Sequence, residues 1–411
     1  MSINLRLFFL GCLVGLSLNL VAQNDSIVKV QPSNGVNEEV KKQWFEKISI
    51  RGYAQVRYNG LAETNPDLKC EQCDGTWGGD KNAFSMRRIR LVFFGQISNQ
   101  VYFYIQPDFA STVGGSMHTG QLRDAYIDLG LDKSNVFRFR LGQSKIPYGF
   151  ENMQSSSNRL PLDRHDALNS AIKNERDLGV FFYWTPELVQ ERMRYISKNG
   201  LKHSGNYGMF SLGVYNGQTA NNPELNNQKH IVSRFSYPFQ IGKQIIEPGI
   251  QAYTGKYVLS ASKITPGVKV NNSLTYIDER AAASFVLYPQ PFGIQAEYNV
   301  GRGPEYNKKT DSIEVQDLQG GYITLSYKKH IKSQIFIPFV RGHYYDGGKK
   351  HERDARSYTV RELEFGIEWQ PNKNFELVVM YVGSDRRFED AINIENRQKG
   401  TLFRFQAQVN F

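Results

Sequence analysis

From Ile48 to the last residue, Phe411, apolar and polar positions alternate with period two. In the first such segment Ile48, Ile50, Gly52, Ala54, Val56 and Tyr58 share one side, while Ser49, Arg51, Tyr53, Gln55 and Arg57 share the other. That period marks extended chain, because successive side chains of a strand point to opposite faces. The alternation returns over 84–98, 101–110, 121–131, 136–145, 178–187, 206–216 and 229–238. It continues over 245–257, 280–289, 292–300, 320–329, 334–345, 359–370, 374–383 and 401–411, which makes sixteen predicted strands in one domain over 48–411.

The connections alternate in length. Short links such as Ser98-Asn99-Gln100, Asp132 to Asn135, Pro289-Gln290-Pro291 and Gln370 to Lys373 interleave with long ones over 59–83, 146–177, 258–279, 301–319 and 384–400. Short turns on one side, long loops on the other and an even strand count describe a transmembrane antiparallel β-barrel of the bacterial outer membrane. One link breaks the rule: 188–205 falls on the short side yet is long, and a hairpin hidden in it would raise the count to eighteen. A soluble β-sandwich also alternates, but sixteen paired segments enclose more volume than side chains fill. Here the polar face carries Arg, Glu, Asp and Gln, as a water-filled lumen requires. The last segment is the sharpest case, with Phe403, Phe405, Ala407, Val409 and Phe411 opposite Arg404, Gln406, Gln408 and Asn410.

Ahead of the strands, Arg6 and the nearly unbroken apolar run Leu5 to Leu20 read as a secretory signal over 1–22. Residues 23–47 are polar and read as a periplasmic extension, with room for one short helix near Val36, Val40 and Trp44. The run Val180 to Trp184 is the densest apolar stretch of the remainder, far short of a spanning helix. The composition of 36 Gly, 23 Tyr and 26 Phe suits strands whose apolar residues are each followed by a polar one.

Formal charge is +10, and loss of Arg6 with the signal leaves +9. On an exported protein that charge attracts anions or anionic lipid headgroups; a nucleic-acid partner lacks any basic and aromatic recognition motif. After processing only Cys70 and Cys73 remain of 3 cysteines. A structural zinc site needs two further ligands, so a small disulfide stapling the first long loop is the preferred reading, with free thiols as the alternative. No metal or other cofactor is expected. No Gly-x-Ser-x-Gly run occurs and the 7 His are scattered, so the chain does not read as an enzyme.

If the apolar face meets lipid, the inward cations are Arg51 and Arg57, Arg88 and Arg90, Arg138 and Arg140, and Arg404; Lys145, at the end of the fifth segment, is a further pore-lining candidate. Guanidinium groups fork onto phosphate or carboxylate oxygens, so these residues form a candidate anion path. Asp108, Asp124 and Asp128 also point inward and offer wall bracing instead. Inward Glu247, Glu297, Glu362, Glu364, Glu368 and Glu376 fall on later strands and would set a field across the pore. The 32-residue connection Ile146 to Asp177 is the candidate constriction loop, with Arg159, Arg164, Lys173 and Arg176 balanced by Glu151, Asp163, Asp166, Glu175 and Asp177. That balance makes it a shape filter.

Arg87-Arg88-Ile89-Arg90-Leu91, Gln106-Pro107-Asp108-Phe109, Asp124-Ala125-Tyr126-Ile127-Asp128-Leu129 and Gly142-Gln143-Ser144-Lys145-Ile146-Pro147-Tyr148-Gly149 stand in a telling order. With Glu175-Arg176-Asp177-Leu178-Gly179 they make the chain resemble the phosphate-selective porin O and P family, most specifically over 48–184. The resemblance implies a homotrimer of sixteen-stranded barrels, an inward-folded third loop and uptake of small anions. The charge-balanced loop departs from a dense basic constriction, which leaves phosphate itself open. The expected partners are therefore small anions, outer-membrane lipid and lipopolysaccharide, and further copies of the chain. The alternatives are a general diffusion channel or an adhesive barrel.

Overall fold

The computed structural model describes residues 43–68, 70, 83–113 and 116–411. The signal, most of the polar extension and Cys73 lie outside the described residues, as do Val36 and Val40. A single 3-10 turn, Trp44–Lys47, leads into the sheet.

Sixteen antiparallel strands follow among the described residues. They are β1 (Ile48–Leu61), β2 (Phe84–Gln96), β3 (Val101–Val113), β4 (Ser116–Gly130), β5 (Phe137–Lys145), β6 (Arg176–Trp184) and β7 (Phe210–Tyr215). β8 comes in two pieces (His230–Ser236 and Phe239–Ile241), interrupted at Pro238, which has no N–H for the ladder. Next are β9 (Gln244–Val258), β10 (Thr275–Leu287), β11 (Phe292–Asn307) and β12, also in two pieces (Ser312–Tyr327 and Lys329–Ile331). The last are β13 (Gln334–Gly348), β14 (Ser357–Asn372), β15 (Phe375–Glu389) and β16 (Arg397–Asn410).

Each strand pairs with its sequence neighbours, and β16 closes on β1 with Val409 opposite Ala54 and Phe405 opposite Tyr58. The seam ends in a reciprocal pair of bonds, Gly52 N to Phe411 O at 2.7 Å and Phe411 N to Gly52 O at 3.0 Å. Gly52 is required there, since a Cβ would lie 2.5 Å from the Phe411 ring. Closure leaves no open strand edge, the condition for crossing hydrocarbon with strands.

Burial runs opposite to that of a soluble protein. Ile50, Phe84, Phe292 and Ile250 are among the exposed large apolar residues, while Arg57, Arg88, Arg176, Arg341, Arg386 and Arg404 are among the largest fully buried ones. The apolar side of each strand is thus the outer wall, and the charged side faces the interior.

Two expectations need correction. The loops expected over 301–319 and 384–400 are mostly strand: β11 and β12 run on to a turn at 308–311, and β15 reaches Glu389. Beyond the apolar belt both faces are wet, as the outward Arg302–Glu279 pair shows, so alternation no longer marks the strand. The long link at 188–205 holds no hairpin. It contains the helix Glu187–Lys198, which follows Pro186 and packs Val189 and Ile196 inward. Its end is a Schellman turn, with Leu201 N bonded to Ile196 O and Gly200 at φ +59°.

This helix crosses the short-turn mouth of the barrel. Gln190 donates to Ser134 O at 3.0 Å, Arg192 to Pro238 O at 2.7 Å, and Lys328 donates to Asn199 O at 2.8 Å. Those partners lie on the β4–β5 turn, in β8 and in β12, so the helix bridges distant strands.

Candidate functional site

The third long connection, 146–175, is almost entirely buried. It contains two single-turn helices, α1 (Phe150–Met153) and α2 (Asp166–Asn169), and we number the mouth helix Glu187–Lys198 as α3. Its partners are inward residues of strands all round the barrel. Asp163 meets Arg57 of β1 at 3.2 Å and Arg404 of β16 at 2.5 Å. Glu151 meets Arg341 of β13 at 2.9 Å and the His165 ring at 2.7 Å. Burial acts to raise the Glu151 carboxyl, but Arg341 and the His165 hydrogen bond hold it below the usual carboxylate range. Asp166 meets Arg386 of β15 at 2.9 Å and also Lys349. A buried charge persists only with such partners, so these contacts fix the loop against the wall.

The inward glutamates serve the same end. Glu297 of β11 accepts the N–H groups of Phe150 and Glu151 at 2.6 and 2.8 Å. Glu364 pairs with Arg341 at 2.5 Å, Glu362 with Arg386 at 2.6 Å, and Glu247 with Arg234 at 2.9 Å. Glu368 pairs with Lys202 at 2.6 Å; Lys202 belongs to the segment that enters the barrel after α3. Gln154 of the third connection donates to Lys202 O at 2.6 Å, and Asn158 to His203 O at 2.7 Å, so the two inserted segments brace each other. Apolar packing of Phe150, Ile196 and Leu201 on Ile245, Val286 and Tyr288 seals that side.

On the other side the inserted segments leave a chamber of about 680 Å³. Its lining includes Arg51, Arg140, Lys145, Arg176 and Lys373, with Asp124 as the one acidic side chain among the described lining residues. Tyr102, Tyr104, Tyr126, Tyr207 and His203 complete much of the wall, with Ser155, Ser157 and Asn158 at the loop's edge.

The predicted cations have several fates. Arg51 is exposed in the chamber, with its guanidinium 5.4 Å from the Phe94 ring centroid. Lys145 is buried, and its ammonium donates to the carbonyls of Met153 (2.9 Å) and Gln154. Arg140 is clamped by both oxygens of Asp128 at 2.7 and 2.9 Å, and Arg138 bonds to Asn206 O at 2.6 Å. Arg90 pairs with Asp108 at 2.7 Å and bonds to Tyr53, while Arg88 is buried. Arg164 braces the loop from within, through Glu175 at 2.5 Å and the carbonyls of Glu151 and Gln154, and Arg159 is buried near Leu162 O.

Two loop residues lie elsewhere than expected. Arg176 opens β6 and pairs with Asp124 at 2.9 Å, because the ladder to β5 starts there with Lys145 opposite Arg176. Lys173 is exposed, in a second cavity with Lys350, His351 and Glu352 on the long-loop side. Cys70 is disulfide-bonded. Among the residues not singled out from sequence, Arg341, Arg386, Lys202 and Lys349 anchor the inserted segments, and the chamber tyrosines line the opening. Inward phase on β3 and β4 was the available signal for Tyr102, Tyr104 and Tyr126.

The fold is that of solved outer-membrane channels. The chain is 15% identical to the outer membrane channel DcaP of Acinetobacter baumannii, covering 89% of this chain and 97% of that one with a TM-score of 0.54. It is 10% identical to the trimer form of OmpT, an outer membrane protein of Vibrio cholerae, over 89% and 99% of the two chains at a TM-score of 0.52. It is also 10% identical to the anion-selective porin from Comamonas acidovorans, over 89% and 99% at 0.51. No curated protein matches by sequence. The model of one family, described as phosphate-selective porin O and P, matches residues 71–411. A match over that span, on a closed sixteen-stranded barrel with a charged interior, means that the chain belongs to the phosphate-selective porin O and P family of bacterial outer-membrane channels.

Proposed function

We propose that this outer-membrane porin passes small anions in preference to cations, phosphate and other oxyanions among them, and that it does so as a homotrimer. The observation that carries the reading is the chamber lining, where Arg51, Lys145 and Lys373 stand without a paired carboxylate among the described residues, while Arg140 and Arg176 are matched by Asp128 and Asp124. In a channel with low-dielectric walls such an excess raises the local concentration of anions. Arg51 and Lys145 are the solute-facing cations in this reading. Arg57, Arg88, Arg90, Arg138, Arg164 and Arg404 shape the wall and hold the loop. The third connection sets the aperture, and a Cys70–Cys73 bond staples the first. The anion-selective porin and the trimeric outer-membrane protein with the same fold support both halves of the proposal.

The test is the reversal potential of the reconstituted channel in asymmetric KCl, repeated with phosphate as the only anion. Anion preference that falls in the Arg51→Gln variant supports the reading; cation preference overturns it. Deleting Ser155 to Asn158 raises conductance if the loop sets the aperture.

A further inference from the structure

Anion preference needs cations and water, yet the chamber is also built from aromatic rings. Tyr104 of β3 and Tyr126 of β4 stack at 5.1 Å with an interplanar angle of 12°. The Arg140 guanidinium lies 3.8 Å from the Tyr126 centroid, 5.3 Å from that of Tyr183 and 5.7 Å from that of Tyr207. Because Asp128 holds that guanidinium by two bonds, it is a fixed planar member of the row and not a mobile anion carrier. The row reads Tyr104, Tyr126, Arg140, Tyr207, with Tyr102 beside it.

Tyr102, Tyr104, Tyr126 and Tyr207 are all half-buried chamber residues. Tyr207 is delivered by the segment that follows α3, so the chain inserts a separate element that completes the row. The Tyr104 hydroxyl makes one long bond to Gln106 at 3.4 Å; those of Tyr102, Tyr126 and Tyr207 bond to no other described residue. The wall therefore offers half-buried aromatic surface together with hydroxyl groups. A hydrated inorganic anion can accept from the hydroxyls but gains nothing from the rings. A sugar ring uses both, laying its C–H face on the aromatic plane and exchanging hydrogen bonds along its hydroxyl edge. At about 680 Å³ the chamber has the size of a small-molecule site, with the tyrosines set among cationic, amide and hydroxyl side chains. Arg51 and Lys145 add the charge anchor.

We propose that the chamber is a binding station for sugars in ring form that carry a carboxylate or a phosphate, the ring held on the tyrosine row and the anionic group by Arg51 and Lys145. This rests on the anion-preferring reading above and names its substrate class.

The experiment is current interruption through the full-length channel in a planar bilayer, with probes added on the side of the short turns. Glucuronate and glucose 6-phosphate supply a ring with each anionic group; glucose is a neutral ring, gluconate an open-chain acid, inorganic phosphate an anion without a ring, and benzoate an aromatic acid without hydroxyls. The expected result is interruption by glucuronate and glucose 6-phosphate at concentrations at least roughly tenfold lower than by the other four. Tyr104→Ala and Tyr207→Ala each weaken that block about tenfold, and Arg51→Gln removes the advantage of the charged rings over glucose. Resistance of the oligomer to dissociation by detergent below its melting temperature verifies folding, and Tyr104→Phe, which keeps the ring, retains the block. Equal block by glucuronate and gluconate, or by glucuronate and benzoate, overturns the proposal, as does block indifferent to both alanine variants. Those outcomes leave an anion-selective channel in place; a cation-selective wild type removes the broader reading as well.

Discussion

The wall from β1 to β6 and the wall from β9 to β15 carry comparable numbers of inward charges, yet one lines an open chamber and the other is covered. On β9 to β15, Glu247, Glu297, Glu362, Glu364 and Glu368 are buried and bonded to loop amides or to cations. They do not face solute across the pore, and the sixth, Glu376, is half-buried and accepts from Gln408 and Asn410, so the opposed field read from strand phases alone is not built. On β1 to β5, Arg51 and the tyrosines remain beside an open volume. Chain packs on both walls, since Arg57, Arg90 and Lys145 all meet the third connection, but beside Arg51 and the tyrosines of β3 and β4 it stops short and leaves the open volume. A carboxylate that has lost its water must find a donor: Glu297 and Glu368 take theirs from the inserted segments, whereas Asp108, Asp124 and Asp128 take theirs from arginines of their own wall.

That comparison can be broken at its anchors. Asp163→Ala has the largest expected effect, because it takes the carboxylate from Arg57 and Arg404, both about 1% exposed or less. Loss of one partner from a buried pair costs about 3–5 kcal/mol. The unfolding midpoint of the refolded protein in urea should fall and single-channel conductance should rise, erasing the contrast between the walls. Lys202→Met comes next. It strands Glu368 but leaves that carboxylate a bond from Gln370, so the loss is smaller, on the order of 1–3 kcal/mol. Conductance should rise chiefly through the mouth that α3 crosses, read as faster reaction of a cysteine at Ser204 with a thiol reagent added from that side.

Arg51→Gln sharpens the contrast without breaking it. Its side chain is exposed, so stability should hold while the ratio of anion to cation permeability falls by roughly a factor of two, measured as reversal potential. Arg302→Gln is the smallest. Its partner Glu279 is 2.7 Å away, but the side chains are 51% and 37% exposed, and such pairs are worth about 0–1 kcal/mol. Neither conductance nor selectivity should move.

The strand count was legible because lipid outside and charge inside impose period two wherever a strand crosses the apolar belt. The count fails to locate strand ends for the same reason: Arg302, Asp317 and Arg387 lie on strands that have left the belt. Helix α3 was legible in principle, since Pro186 followed by Val189, Met193 and Ile196 has helical spacing and Gly200 stops it. A barrel reading supplied no place for it. The arginines on the inner face could be named from phase, but their partners could not. Asp163 reaches Arg57 across 106 residues of chain and Glu151 reaches Arg341 across 190, and no local pattern encodes those meetings. Phase therefore assigned inward cations to solute where most of them hold protein.

The anchors of the third connection and the charge at the mouth also answer differently to dissolved salt. Mobile ions shorten the reach of a charge in water from ~8 Å at physiological strength to ~3 Å at 1 M, but they have no access to Asp163, Arg404 or Glu151, which are at most 3% exposed. Arg51 stands in the water they occupy. If the channel works as proposed, brine leaves its molecular-size cut-off in place and removes its discrimination between co-ion and counter-ion, making it a sieve whose mesh is set by bonds the medium cannot touch.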